Sequence, residues 1–251
     1  MCHASALYRN DRRAIVCHTQ LRRVIVARMA LSTARTLPAL RDEYVAMYNS
    51  MTIRPERLAA VDSRVRRITA NEARYRSVAD PAGVPWYVVG IIHSLEGGGF
   101  GAHLHNGDPL TARTTHVPVG RPLIGNPPFT WEESARDAIA MRGWNASTDW
   151  SLPGVLFQLE KYNGFGYRPV GIASPYLWSF SNHYTRGKFA SDNRFDPNLV
   201  SQQAGAATIL HRMMDLDASG VGTQTKTLWP YVVGAAVLIG AAVLIAYPPQ
   251  R

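Results

Sequence analysis

Apolar positions recur at helical spacing through most of the chain. Leu40, Tyr44, Met47 and Tyr48 form one stripe, and Leu58, Val61, Val65 and Ile68 form another, so residues 37–76 read as helical. Ile53-Arg54-Pro55 separates the two stripes, with Pro55 suited to the first position of the second helix. After a loop marked by Pro81, Gly83 and Pro85, residues 86–95 are almost continuously apolar and end at Glu96, which predicts a buried helix. Residues 97–129 change character and are rich in Gly, Pro, Thr and His. Their turn signal Asn106-Gly107-Asp108-Pro109 lies between short strand-like pieces such as Thr114-Thr115-His116-Val117, which predicts a small β-hairpin or a long loop. Thr130 and Glu133 form a capping box for a helix over residues 131–141 that Gly143 ends. Pro153 opens another helix carrying Val155, Leu156, Leu159 and Tyr162, and residues 163–198 are loop-rich and aromatic. A last soluble helix is expected over residues 199–216.

Residues 228–247 are 20 consecutive positions without a charge. As a helix they would be about 30 Å long, the thickness of a bilayer's hydrocarbon core. Trp229 and Tyr231 at one end and Tyr247 at the other match the aromatic belts of a membrane span, while Lys226 and Arg251 leave its orientation open. The expected organisation is a basic N-terminal segment at 1–35, a catalytic domain at 36–218, a linker at 219–227 and a transmembrane helix at 228–247. Of the formal net charge of +9, the first 28 residues supply six arginines against one aspartate, +5, leaving +4 for the remainder. They hold no uninterrupted apolar core of a signal peptide, and Met29 is a plausible alternative start, so they are expected to be disordered or not translated. Both cysteines, Cys2 and Cys17, lie there, so the predicted domain has neither a disulfide nor a Cys-ligated metal. The basic balance suits an anionic partner. Outside the first 28 residues, however, the cations are scattered and no base-reading module occurs, which argues against nucleic acid.

The chemistry centres on Glu96, at the end of the apolar run and followed by Gly97-Gly98-Gly99-Phe100-Gly101. A carboxyl against apolar walls holds its proton towards neutral pH, as a general acid must, and small neighbours admit a bulky substrate. Gly90-Ile91-Ile92-His93-Ser94-Leu95-Glu96 resembles the glutamate-bearing helix of the lysozyme superfamily, and Tyr162-Asn163-Gly164 is similar to the Tyr-Asn signature of lytic transglycosylases and goose-type lysozymes. Asp108 and the Thr114 six positions later reproduce a spacing of phage-type lysozymes, although the twelve residues from Glu96 to Asp108 exceed that family's interval. Together with Asn182-His183-Tyr184-Thr185-Arg186-Gly187-Lys188, the ensemble looks most like phage endolysins and related muramidases.

The resemblance implies a mostly α, α+β lysozyme-like fold, with a helical lobe and a small hairpin beside a cleft, plus the C-terminal transmembrane helix. It implies an enzyme that cleaves between N-acetylmuramic acid and N-acetylglucosamine in peptidoglycan, anchored in the host inner membrane and acting on the periplasmic wall during lysis. Glu96 would be the acid, Asp108 would stabilise the sugar cation or position water with Thr114, and His105, Asn106, Tyr162, Asn163 and Tyr184 would bind substrate. No cofactor or metal is required. The plain alternatives are that Asp108 only serves its turn, that Tyr167, Tyr176, Trp178 and Tyr184 fill a core, and that Glu133 and Glu160 are a capping residue and a solvated helix face. Three functional rivals stay open: a lytic transglycosylase, a metal-dependent amidase or peptidase using His93, His103, His105 and His116, and a non-catalytic wall-binding membrane protein. The sequence leaves oligomeric state undetermined.

Overall fold

A computed structural model describes residues 30–97, 99–191 and 194–219. The basic segment at 1–28, the linker after Ser219 and the expected membrane span at 228–247 lie outside the described residues. Within them, no helix is long and apolar enough to cross a membrane.

The fold is mostly helical. Its helices are α1 (Leu37–Asn49), α2 (Leu58–Thr69), α3 (Glu72–Ala79), α4 (Trp86–Glu96), α5 (Trp131–Met141), α6 (Leu152–Asn163), α7 (Pro175–Trp178) and α8 (Ala206–Ala218). The two predicted stripes face inward, with Leu40, Tyr44 and Tyr48 buried on α1 and Val61, Val65 and Ile68 buried on α2. Pro55 opens a single 3-10 turn, Pro55–Arg57, before α2. Residues 58–76 do not form one helix, because the chain turns at Ala70 and Asn71 before α3. α4 is the central element, apolar on all faces and packed against α2, α3, α6 and α8. The capping box of α5 is present, with the Glu133 amide donating to Thr130 Oγ1 at 3.2 Å and the Thr130 amide donating to Glu133 Oε2 at 2.7 Å. α6 carries Pro153 in its first turn and packs along α1, α4 and α7.

Three expectations need correction. Of the hairpin or long loop expected at 97–129, the loop is what forms, with one isolated bridge, Ala102 to Pro109, so the hairpin of the expected fold is not there. The antiparallel strands β1 (Lys188–Ser191) and β2 (Arg194–Asp196) lie instead in the aromatic segment, with Phe189 paired to Phe195. Apolar residues opposed across the pair favour strands there, whereas the proline-rich stretch lacks backbone donors for a ladder. The last helix begins at Ala206, not near residue 199, because Gly205 is extended and lies where a Cβ would sit 2.1 Å from the Leu177 carbonyl oxygen. Glu160 is not solvated. It is 1% exposed and accepts from Tyr44 Oη and Arg168 Nη2, both at 2.6 Å.

Candidate active site

α4 ends at Glu96 because Gly97, at φ +146°, leaves the helical path. The last carbonyls of the helix are bonded from elsewhere in the fold. Arg64 of α2 donates to the Ser94 carbonyl, and Gln203 Nε2 donates to the Leu95 carbonyl at 2.6 Å. These bonds hold the helix end on which the carboxyl stands. The 97–129 loop covers it from another side, with Gly107 so close that a Cβ there would lie 2.5 Å from the Glu96 carbonyl oxygen. Gly99 and Gly101 border open space.

Tyr176 on α7 donates its hydroxyl hydrogen to Glu96 Oε1 at 3.2 Å. Arg142, just after α5, places its guanidinium 4.2 Å from the centre of the Tyr162 ring and donates to the Tyr162 carbonyl at 3.2 Å. Its Nε is buried without a hydrogen-bond partner. Burial pushes the Glu96 carboxyl from its ordinary value of 4.5 up to about 7, opposed by the Tyr176 hydrogen bond and by the charge of Arg142. Burial and the nearby Glu96 charge raise the Tyr162 and Tyr176 phenols, so both remain protonated across the physiological range. The result is one partly buried acid beside a cation and two phenols, an arrangement suited to delivering a proton.

Asp108 has a different environment. Its Oδ2 accepts from the Thr115 amide at 2.7 Å and the His116 amide at 3.0 Å, and its Oδ1 meets His116 Nδ1 at 2.7 Å. The His116 backbone donor is the largest of the influences that hold this carboxyl well below the usual carboxylate range, with the His116 side chain and the Thr115 amide adding to it against the opposing effect of burial. Both oxygens therefore serve the loop. Thr114 is buried, donating to the Pro118 carbonyl and accepting from the Arg121 amide at 2.9 Å.

Among the expected substrate-binding residues, Asn106 closes the same loop through the His116 carbonyl at 2.9 Å. His105 is buried between Ser134 Oγ at 3.2 Å and Asp137 Oδ2 at 2.8 Å. Burial is the main influence lowering the His105 proton affinity, against the opposing pull of Asp137. Tyr162 reaches the Glu96 surroundings, although its hydroxyl donates to the Leu104 carbonyl at 2.6 Å and so ties α6 to the loop. Asn163 is exposed at the end of α6. Tyr184 is buried away from this group, accepting from the Ser201 amide at 3.1 Å and receiving Arg54 on its carbonyl. The structure thus joins Glu96 with Tyr162 and Tyr176, and gathers Asp108, Thr114 and Asn106 into a self-contained loop.

Arg142 was missed by sequence reasoning. A cation following the last turn of a helix has an ordinary reading as a partner for the helix dipole, and no spacing links it to Glu96. Among the described residues no group of three or more His, Cys, Asp and Glu is placed to hold a metal ion. His103, one of the four candidate ligands, is bonded through Nδ1 to Ser134 Oγ at 3.0 Å and through Nε2 to the Ala112 carbonyl at 2.7 Å. No family model, curated protein or solved structure matches the chain.

Proposed function

We propose that this protein is a peptidoglycan glycosidase of the lysozyme type, acting as a phage endolysin on the bond between N-acetylmuramic acid and N-acetylglucosamine. The observation that carries the reading is Glu96 itself, a carboxyl raised to about 7 at the end of a buried helix and beside open, glycine-bordered space. In this mechanism Glu96 gives its proton to the glycosidic oxygen, the leaving sugar departs as an alcohol, and positive charge develops on the remaining ring. The ionised Glu96 then takes the proton of the attacking hydroxyl and is restored.

The attacker is either water, giving hydrolysis, or the sugar's own 6-hydroxyl, giving an anhydro product. Hydrolysis is the proposed course, and the engagement of both Asp108 oxygens within their loop is the observation that speaks for the second as the alternative. The test is clearing of purified cell walls by the wild type beside Glu96→Gln. A fall in rate of about 10²- to 10⁴-fold with the fold retained supports the acid role. Product masses then separate reducing ends from anhydro ends one water lighter. Clearing that survives Glu96→Gln and stops on chelation would replace this reading with a metal-dependent peptidase.

In the same proposal residues 228–247 tether the enzyme to the host inner membrane next to the wall. Removing residues 228–251 is expected to move the protein into the soluble fraction with its wall-clearing activity intact. A truncated protein that still sediments with membranes would overturn the tether.

A further inference from the structure

Four of the seven large apolar side chains exposed among the described residues crowd into one stretch of eight residues. They are Val117, Val119, Leu123 and Ile124, and they are the most exposed of the seven, from 64% to 87%. A cluster of apolar side chains standing in water marks a contact surface. The stretch belongs to the loop that covers the end of α4, and its backbone is fixed. The Thr114 amide donates to the Arg121 carbonyl and the Gly120 amide to the Thr114 carbonyl, both at 2.8 Å, which closes the tip on itself. The Leu123 amide donates to Asp137 Oδ1 of α5 at 3.1 Å, and Asn106 Nδ2 donates to the His116 carbonyl at 2.9 Å. The four side chains are therefore presented by a built frame, and little ordering is left to be done on contact.

The backbone of the tip suits lipid. Where a segment enters the apolar part of a bilayer, each amide without a partner is costly. Between residues 117 and 128, Pro118, Pro122, Pro127 and Pro128 have no amide hydrogen, and the amides of Gly120, Arg121 and Leu123 are bonded within the fold. Charge points the same way. Residues 109–131 contain no acid, and Arg113 among them forms no ion pair within the described residues. The carboxylates bonded to this loop are already engaged, Asp108 by the Thr115 and His116 amides and Asp137 by His105 and Arg121. An apolar tip with an unpaired cation and no free acid matches an anionic membrane surface. A bilayer is also within reach. The described part ends at Ser219, and the eight residues 220–227 extend at most about 30 Å before the uncharged stretch 228–247 begins.

We propose that Val117, Val119, Leu123 and Ile124 form a second membrane contact, dipping into the boundary between headgroups and acyl chains so that the loop covering Glu96 rests on lipid. This rests on the proposed tether at 228–247, and the test tells the two apart. The full chain, carrying Cys2→Ser and Cys17→Ser, receives one environment-sensitive fluorophore on Ile124→Cys or, for comparison, on Val170→Cys, another exposed apolar position. It is reconstituted in vesicles of phosphatidylcholine and phosphatidylglycerol, with and without doxyl-labelled lipid as quencher, and the vesicles are recovered by flotation. The label at 124 is expected to be quenched several-fold more strongly than the label at 170. Adding Val119→Asp and Leu123→Asp, two charges at exposed positions that the core does not use, is expected to abolish that excess while the protein still floats with the vesicles. Flotation with an unquenched label at 124 would overturn the surface and leave the tether standing. Failure of the full chain to float would overturn both. A label at 124 shielded without lipid quenching, in a protein that light scattering finds dimeric, would assign the patch to a second copy and overturn the bilayer contact. Quenching at 124 in a protein that leaves wall glycan intact would uphold the surface and remove only the glycosidase reading.

Discussion

Surroundings push the carboxyls of Glu96 and Asp108 in opposite directions, one by burial against apolar neighbours and the other by donors aimed at its oxygens. Such divergence keeps one carboxyl protonated towards neutral pH while the other stays ionised to hold its loop. In the proposed mechanism the protonated form of Glu96 is the active one, so activity is expected to fall as pH rises through about 7, which a pH–rate profile on wall glycan measures. The Tyr176 hydrogen bond favours the ionised form, so Tyr176→Phe should move that alkaline limb to still higher pH. An unmoved or acid-shifted limb would contradict the geometry. Stability carries the same sign. The folded value of about 7 lies above the ordinary 4.5, so the proton contributes stability below pH 4.5 that is lost as pH rises through 7. Glu96→Gln should abolish this dependence and leave the variant more stable than the wild type above pH 7, by up to about 3 kcal/mol in denaturant titrations.

Among the elements, α4 and the loop that covers its end were unequally legible in the sequence. α4 was plain because a helix apolar on every face has only one place to go, and Glu96 was plain because it ends that run. The loop was only half legible: Asn106 to Pro109 does turn, with the Gly107 amide donating to the His103 carbonyl at 2.9 Å, but its flanks pair at a single bridge, Ala102 to Pro109, and beyond it the chain is held by side chains such as Asp108 and Thr114. Tyr176 was visible only as one aromatic among several, and its contact with Glu96 spans 80 residues of sequence that only tertiary packing closes. The loop's fit to α4 is testable at Gly107, which has φ +82° and faces the Glu96 carbonyl oxygen. Gly107→Ala should lose about 1–3 kcal/mol of stability and much of the activity, because the added methyl must displace either the loop or the helix end. Gly120→Ala supplies the control, with a similar φ of +77° but nothing within 4 Å of the added carbon. It should cost stability alone, and comparable activity losses in both would show that any strain in the loop disturbs the site.

At the scale of the whole molecule, a buried charge network fastens α1 to α6. Arg168 donates to Glu43 Oε1 at 2.7 Å, to Glu160 Oε2 at 2.6 Å and to the Ser32 carbonyl at 2.9 Å, while Tyr44 gives Glu160 a further bond at 2.6 Å. Periodicity on α6 could not reveal this, because Glu160 occupies a position that is charged in sequence and interior in the fold. Side chains of both acids are nearly sealed, 10% and 2% exposed, so each depends on Arg168 for its counter-charge. Truncating one partner of such a group leaves the others buried and uncompensated, a larger penalty than the net worth of the intact network. Arg168→Met should therefore lower unfolding free energy by about 3–5 kcal/mol, a large part of what a domain of this size possesses. Arg168→Lys should recover only part of it, since an ammonium cannot reproduce the fork that reaches both carboxylates. The measurement is the denaturant midpoint beside the specific activity of the fraction still folded. If the network is architectural, stability falls and activity per folded molecule stays constant; a matching drop in turnover would mean that the α1–α6 junction also sets the position of Tyr162 against Arg142 and Glu96.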